Sequence, residues 1–301
     1  MAHTQHEHIS RLKINRRLIF GIVLNSSFVV IELVTALIIG SLALLSDAGH
    51  NFADSFALIL ALFAALQARK LPTERKTFGF LRTGVLAALL NSTILVLITI
   101  YIFYEAYLRI LEPPKLPGGI IMIVAGLGLV INSIVAFRFR GQKDINIRAA
   151  FLHLITDAAV SLGVLMSGFV ILTTGVNLID PLISLFIGAF ILYSTYGITR
   201  EAIDILMEAI PKGIDVDGVI ADILREKRIK NVHHMHIWEI GSGVPALSCH
   251  IVVDDMNLDE AGKIISDLEL KLAEDYGIIH PTIQVETTVC EAGGICKLPH
   301  V

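Results

Sequence analysis

The sequence predicts an α-helical membrane protein, six transmembrane helices followed by a small two-layer α+β domain. Three observations predict it. The 301 residues are 54% hydrophobic and only 17% charged, with a mean hydropathy of +0.71, too apolar for an ordinary soluble domain. Six stretches, roughly 18-38, 42-66, 84-106, 117-137, 150-173 and 179-198, reach the length of about 20 apolar residues that a bilayer crossing requires. Composition then changes near residue 210: residues 211-301 carry 8 Lys/Arg against 15 Asp/Glu, whereas the first 210 carry 16 against 13. The expected domains are an N-terminal arm over 1-17, a six-helix transmembrane domain over 18-209 and a tail domain over 210-301.

Lysine and arginine set the orientation of the spans. The N-terminal arm has Arg11, Lys13, Arg16 and Arg17, the second connection Arg69, Lys70, Arg75 and Lys76, and the fourth Arg138, Arg140, Lys143 and Arg148. The first and fifth connections have none, and the third has Arg109 and Lys115. Both termini are therefore expected in the cytoplasm. A polar N-terminus before a full-length span predicts no cleavable leader. The host is expected to be the cell inner or plasma membrane. The cysteines, Cys249, Cys290 and Cys296, all fall in the tail, where a reducing compartment predicts thiols or metal ligands rather than disulfides.

The first span carries Asn25 and Glu32. Glu32 is a candidate for a proton or ion path, with no partner legible in the sequence. The second holds Asp47, His50 and Asp54; His50 and Asp54 are four apart, hence on one helix face, and Asp47 shares that side. The third and fourth spans contribute Asn91 and Asn132, amides that suit interhelical hydrogen bonds. The fifth repeats the second, with His153 and Asp157 again four apart. In the sixth, Asp180 before Pro181 reads as a helix N-terminal residue.

A charge at the centre of a membrane helix costs about 2.5-3.5 kcal/mol on insertion scales and marks function by default. Two imidazoles and two carboxylates on facing helices form the donor set that a small divalent cation takes tetrahedrally, zinc most commonly. Two separate His-Asp hydrogen bonds gluing helices together are the bland reading. The recurrence of one spacing in two spans favours the metal.

In the tail, apolar spacing over 214-227 reads as a helix, 231-240 and 246-254 as strands around Gly241-Ser242-Gly243, 258-276 as an amphipathic helix, and 280-289 as a strand. The order αββαβ predicts a two-layer domain. His233, His236, His250, His280 and Glu286 are candidate metal ligands there, with Cys290 and Cys296 as accessory candidates. Alternation puts His234 and His236 on one strand face and His233 on the other, so the three share a site only if the strand bulges. His3, His6, His8 and His300 read as surface histidines.

Residues 40-50 (Gly40-Ser41-Leu42-Ala43-Leu44-Leu45-Ser46-Asp47-Ala48-Gly49-His50) with Asp54, the His153/Asp157 pair, Asp180-Pro181, and Val232-His233-His234-Met235-His236-Ile237-Trp238 together resemble the cation diffusion facilitators, zinc-type divalent cation transporters. The resemblance runs over nearly the whole chain. It implies six transmembrane helices, a cytoplasmic ferredoxin-like αββαβ domain, homodimers in membrane lipid, and exchange of a cytoplasmic metal ion for protons, with no nucleic-acid partner. By motif match His50, Asp54, His153 and Asp157 are the transport site, and two histidines with two aspartates imply Zn²⁺ as the transported ion. Some relatives carry histidines and an acid between the second and third spans; here residues 76-84 hold neither.

Three alternatives stay open: a transporter of broader Zn/Cd/Co/Fe selectivity, a membrane-embedded metalloenzyme with Asp47 as base, and a metal sensor. The tail is read either as a dimer clamp or as a sensor whose metal occupancy tightens the dimer.

Overall fold

The computed structural model describes residues 16-139, 145-288 and 294-295. The helices follow the hydropathy: α1 (Arg16–Ile39), α2 (Leu42–Ala68), α3 (Thr83–Leu111), α4 (Gly118–Phe139), α5 (Ile145–Thr174) and α6 (Ile179–Leu206). Within them, five stretches are long and apolar enough to cross a membrane: all of α2, α3 and α6, residues 118-137 of α4 and 151-174 of α5. The described side chains of α1 add a shorter apolar stretch, Ser27–Ile39. Large apolar side chains such as Ile38, Phe137, Phe186 and Tyr193 point outward, as expected where lipid rather than water is the solvent.

The chain packs as two compact units, residues 1-59 with 91-196, and 60-90 with 197-301. In the first, Phe28, Leu44, Ala53, Leu95, Ile121, Val164 and Ile187 form one buried apolar core, so all six helices contribute to it. A close backbone contact joins α4 and α5 through glycines. A Cβ on Gly118 would come within 2.6 Å of the Gly168 carbonyl, and one on Gly168 within 2.9 Å of the Gly118 carbonyl. Small residues permit this approach of backbones where no hydrophobic effect drives helices together.

The turn between α1 and α2 is held from two sides. Asp180, at the start of α6, is fully buried and accepts from Ser41 Oγ (2.6 Å) and the amides of Leu42 (2.7 Å) and Ala43 (3.4 Å). The residue expected to serve its own helix therefore caps the N-terminus of α2. Arg109 of α3 donates to the Gly40 carbonyl and pairs with Glu105.

In the second unit, α7 (Val216–Leu224) leads into strands β1 (Ile229–Gly241) and β2 (Val244–Val253), then α8 (Leu258–Tyr276) and β3 (His280–Glu286). This is the expected αββαβ order. A two-residue strand, β4 (Gly294–Ile295), extends it, giving a sheet of order β3-β2-β1-β4. The β1-β2 hairpin is antiparallel and turns with Gly243 at a φ of 73°. Asn257 caps α8 by accepting the Glu260 amide (2.9 Å), and Gly277 ends it in the left-handed region, the usual stop for a helix. Val219, Ile223, Ile237, Leu247, Ile251, Ile264 and Leu268 pack between sheet and helices. Cys249 belongs to this core; it is a free thiol, and burial pushes it up to about 12.

The strand expected over 280-289 ends at Glu286, where the chain bends. Cys290, Cys296, His3, His6, His8 and His300 lie outside the described residues.

Candidate metal centres

Helices α2 and α5 run antiparallel where their polar faces meet, because residues that rise in number along α2 meet residues that fall along α5. Asp54 faces His153, His50 faces Asp157, and Asp47 accepts from Ser161 Oγ at 2.9 Å. The i, i+4 spacing on each helix aligns the pairs, and the Asp47-Ser161 bond fixes their register one turn away.

The four residues singled out by motif close into a ring. His50 Nε2 lies 3.5 Å from Asp54 Oδ2 and 3.6 Å from Asp157 Oδ1. His153 Nε2 lies 3.5 Å from Asp54 Oδ2 and 3.6 Å from Asp157 Oδ2. Zinc bonds of about 2.0-2.2 Å to nitrogen and oxygen make a tetrahedron with edges of about 3.3-3.6 Å, which these four contacts match; His50, Asp54 and Asp157 bring donor atoms within 4.8 Å of one another, and His153 reaches the site through its contacts to the two aspartates. Asp54 Oδ2 and Asp157 Oδ1 are buried and have no hydrogen-bond partner among the described residues. Such orphaned anionic oxygens are costly unless a cation satisfies them. His50 and Asp157 are buried, whereas the His153 side chain is half exposed, so the ring has one open edge.

Glu32, the candidate for a proton or ion path, and Asp47 lie behind His50. Asn51 Nδ2 is 3.2 Å from both Glu32 Oε2 and Asp47 Oδ1. Asn51 and Ser161 were not singled out from sequence. Their signal was spacing: Asn51 stands four residues after Asp47, and Ser161 four after Asp157.

A second cluster forms on the tail sheet. His250 Nδ1 is 2.8 Å from Glu286 Oε1, and His233 Nε2 is 3.2 Å from Glu286 Oε2. A bulge, the condition alternation set for these histidines to share a site, is present: His233 pairs with His250 and His236 with Ser248, one extra residue on β1. His234 absorbs it with a φ of 51°, an uncommon conformation for a side-chain-bearing residue. As a result His233 and His234, not His233 and His236, face His250, with ring centroids 5.0–5.2 Å apart. His233 is fully buried, and neither of its nitrogens makes a hydrogen bond of good direction among the described residues. His233, His250 and Glu286 can therefore supply three donors to one cation. His236 is exposed, and His280 pairs with Ala246 and sits edge-on to Phe78; both lie apart from this cluster.

Comparison with known proteins identifies the family. The family model of the cation efflux transmembrane domain matches residues 18–207, and that of the cation efflux protein cytoplasmic domain matches residues 211–288. The chain is 39% identical to the "Cadmium, cobalt and zinc/H(+)-K(+) antiporter" of Bacillus subtilis (strain 168), over 95% of this chain and 92% of the relative. It is 34% identical to "Zinc transporter ZitB" of Escherichia coli (strain K12), over 99% of this chain and 96% of the relative. A solved structure, the metal-bound C-terminal domain of the CzcD transporter from Cupriavidus metallidurans, matches 24% of this chain and 99% of that chain at 34% identity and a TM-score of 0.23. The chain thus belongs to the cation efflux family, the cation diffusion facilitators of zinc-transporter type, and is an integral membrane protein that exports divalent metal cations.

Proposed function

We propose that the protein is a Zn²⁺/H⁺ antiporter that carries zinc out of the cytoplasm on His50, Asp54, His153 and Asp157. The observation that carries this reading is the ring of four His-Asp contacts at 3.5–3.6 Å, each close to an edge of a tetrahedral zinc site. In each imidazole the nitrogen that faces the carboxylates is Nε2, so metal and proton compete for one lone pair. Zinc binding requires neutral imidazoles and ionised carboxylates and therefore displaces protons; protons arriving from the far side weaken the metal and release it. Half-exposed His153 is the entry edge. Four donors leave no open coordination position for a water nucleophile, which favours carriage over hydrolysis.

The protein acts as a homodimer in the cell inner or plasma membrane, both termini in the cytoplasm, with the membrane and tail domains divided near residue 210. The tail's match to a cytoplasmic-domain model supports this. His233, His250 and Glu286 form a second zinc site in the tail, through which metal occupancy regulates the dimer. A broader selectivity is favoured by one observation, the naming of the Bacillus relative for cadmium, cobalt and zinc.

Zinc uptake into proteoliposomes under an imposed pH gradient tests the reading. The parent transports, and His50→Ala and Asp157→Ala lose transport while remaining folded. Retained flux in either variant would refute the assignment of the site. Competition by cadmium and cobalt at concentrations comparable to zinc would establish the broader selectivity.

A further inference from the structure

The antiport reading assigns protons to the metal-facing histidines, yet a further pair of carboxylates is buried behind them. Glu32 and Asp47 are both fully buried. They are bridged by one amide nitrogen, Asn51 Nδ2, at 3.2 Å from each. Asp47 accepts a second bond from Ser161, whereas Glu32 Oε1 is buried with no hydrogen-bond partner among the described residues.

Among the described residues no lysine or arginine pairs with either of them. Arg109 of α3 is engaged with Glu105 and Gly40, and Arg200 of α6 lies beside Asp204. Among the described residues, the titratable groups on α2 and α5 around the pair are Asp47, His50 and Asp54 on α2 and His153 and Asp157 on α5. Glu32 has no ionisable neighbour among the described side chains of α1, and those of α4 contribute none. Two carboxylates bridged by one neutral amide in a dry interior do not both ionise. The two donors on Asp47 stabilise its anion, and Glu32, with one donor and one orphaned oxygen, is left to hold the proton.

We propose that Glu32 is a proton-binding site of the transporter, distinct from the four metal-facing residues and emptied when they load a metal ion. The inference rests on the antiport reading. A divalent charge arriving beside His50 favours ionisation of Glu32, so its carboxylic acid becomes a carboxylate and one proton leaves. The occupant is a proton rather than a metal ion, because the neighbours facing both carboxylates are N–H and O–H donors whose hydrogens repel a cation.

Proton release on zinc binding is the test, read with a pH indicator on the full-length protein in lipid nanodiscs at low buffer strength. Glu32→Gln copies the protonated shape. It should keep zinc affinity within a few fold of the parent and release about one proton fewer per ion bound. Equal release from parent and variant, with release present, would overturn the role of Glu32 alone. No release from the parent would instead overturn the antiport reading on which it rests.

Infrared difference spectra of the parent, labelled with ¹³C in its glutamate side chains, decide the matter even if the variant misfolds. A protonated glutamate carbonyl band must be present without zinc and vanish on its addition. The metal-facing carboxylates of the membrane site are both aspartates, so the label does not report them. An absent or zinc-insensitive band would overturn the proposal.

Discussion

Gly168 and Gly163 lie on the same helix but should respond to alanine with opposite signs. A Cβ on Gly168 would meet the Gly118 carbonyl and the Met122 amide, each at 2.9 Å, and Ile121 Cγ2 at 3.0 Å. Two of these atoms are backbone and cannot rotate away, so α4 and α5 must separate. Overpacking of this kind costs about 1–3 kcal/mol, while replacing glycine by alanine in a helix returns about 1 kcal/mol. A Cβ on Gly163 would meet nothing within 4 Å, so only the second contribution applies there. Gly168→Ala should therefore be less stable than Gly163→Ala by about 1–3 kcal/mol. Circular dichroism melts in detergent micelles measure this; the single tryptophan, Trp238, lies in the tail and does not report on these helices. Because α5 also carries His153 and Asp157, the same displacement should lower zinc affinity in Gly168→Ala and leave it unchanged in Gly163→Ala. Equal melts, or a more stable Gly168→Ala, would refute the close backbone contact as the reason for that glycine.

Asp180→Ala should destabilise the membrane domain by about 2–4 kcal/mol, because it orphans the Ser41 hydroxyl and the Leu42 amide in a buried place; Asp180→Asn should lose less, and equal melts of Asp180→Ala and parent would contradict the cap. Glu286→Gln, in a background where Asp157→Ala silences the membrane site, should weaken zinc binding by the tail at least about tenfold, and calorimetric titration showing unchanged affinity would remove Glu286 from that site. Cys249, its thiol pushed up to about 12, should resist iodoacetamide at neutral pH in a Cys290→Ser, Cys296→Ser variant and react on unfolding. The sign follows from burial, which opposes the thiolate; rapid labelling of the folded protein would show that the thiol is accessible.

The six helices were legible because hydropathy and length report solvent directly, and the His50/Asp54 and His153/Asp157 pairs because helical periodicity is local. What joins the two pairs was not legible. The antiparallel register of α2 and α5 depends on packing, and only with that register does Ser161 become a partner of Asp47 and Asn51 the bridge to Glu32. The tail shows the limit more sharply. Alternation along β1 assumed an unbroken strand, and the backbone of His234 breaks it, which exchanges His236 for His234 beside His250. The strand β4 escaped notice because two residues, one of them glycine, carry no pattern. His233, His250 and Glu286 nonetheless converge as their sequence candidacy suggested, while His280, on the same strand as Glu286, is carried away by the length of β3.

The two-residue turn between α1 and α2 has a mechanical consequence. A helix ends in partial negative charge and begins in partial positive charge, and here each end meets its opposite: the guanidinium of Arg109 at the Gly40 carbonyl, and the carboxylate of Asp180 at the amides that open α2. The turn is thereby riveted to α3 and α6 at the same level. Splaying α1 from α2 at that end would pull the Gly40 carbonyl away from Arg109 while Asp180 keeps hold of the start of α2, so the hairpin works like tongs whose pivot is fixed there. The bridge between Glu32 and Asn51 lies farther down the two arms, where a small change in their angle gives the larger displacement.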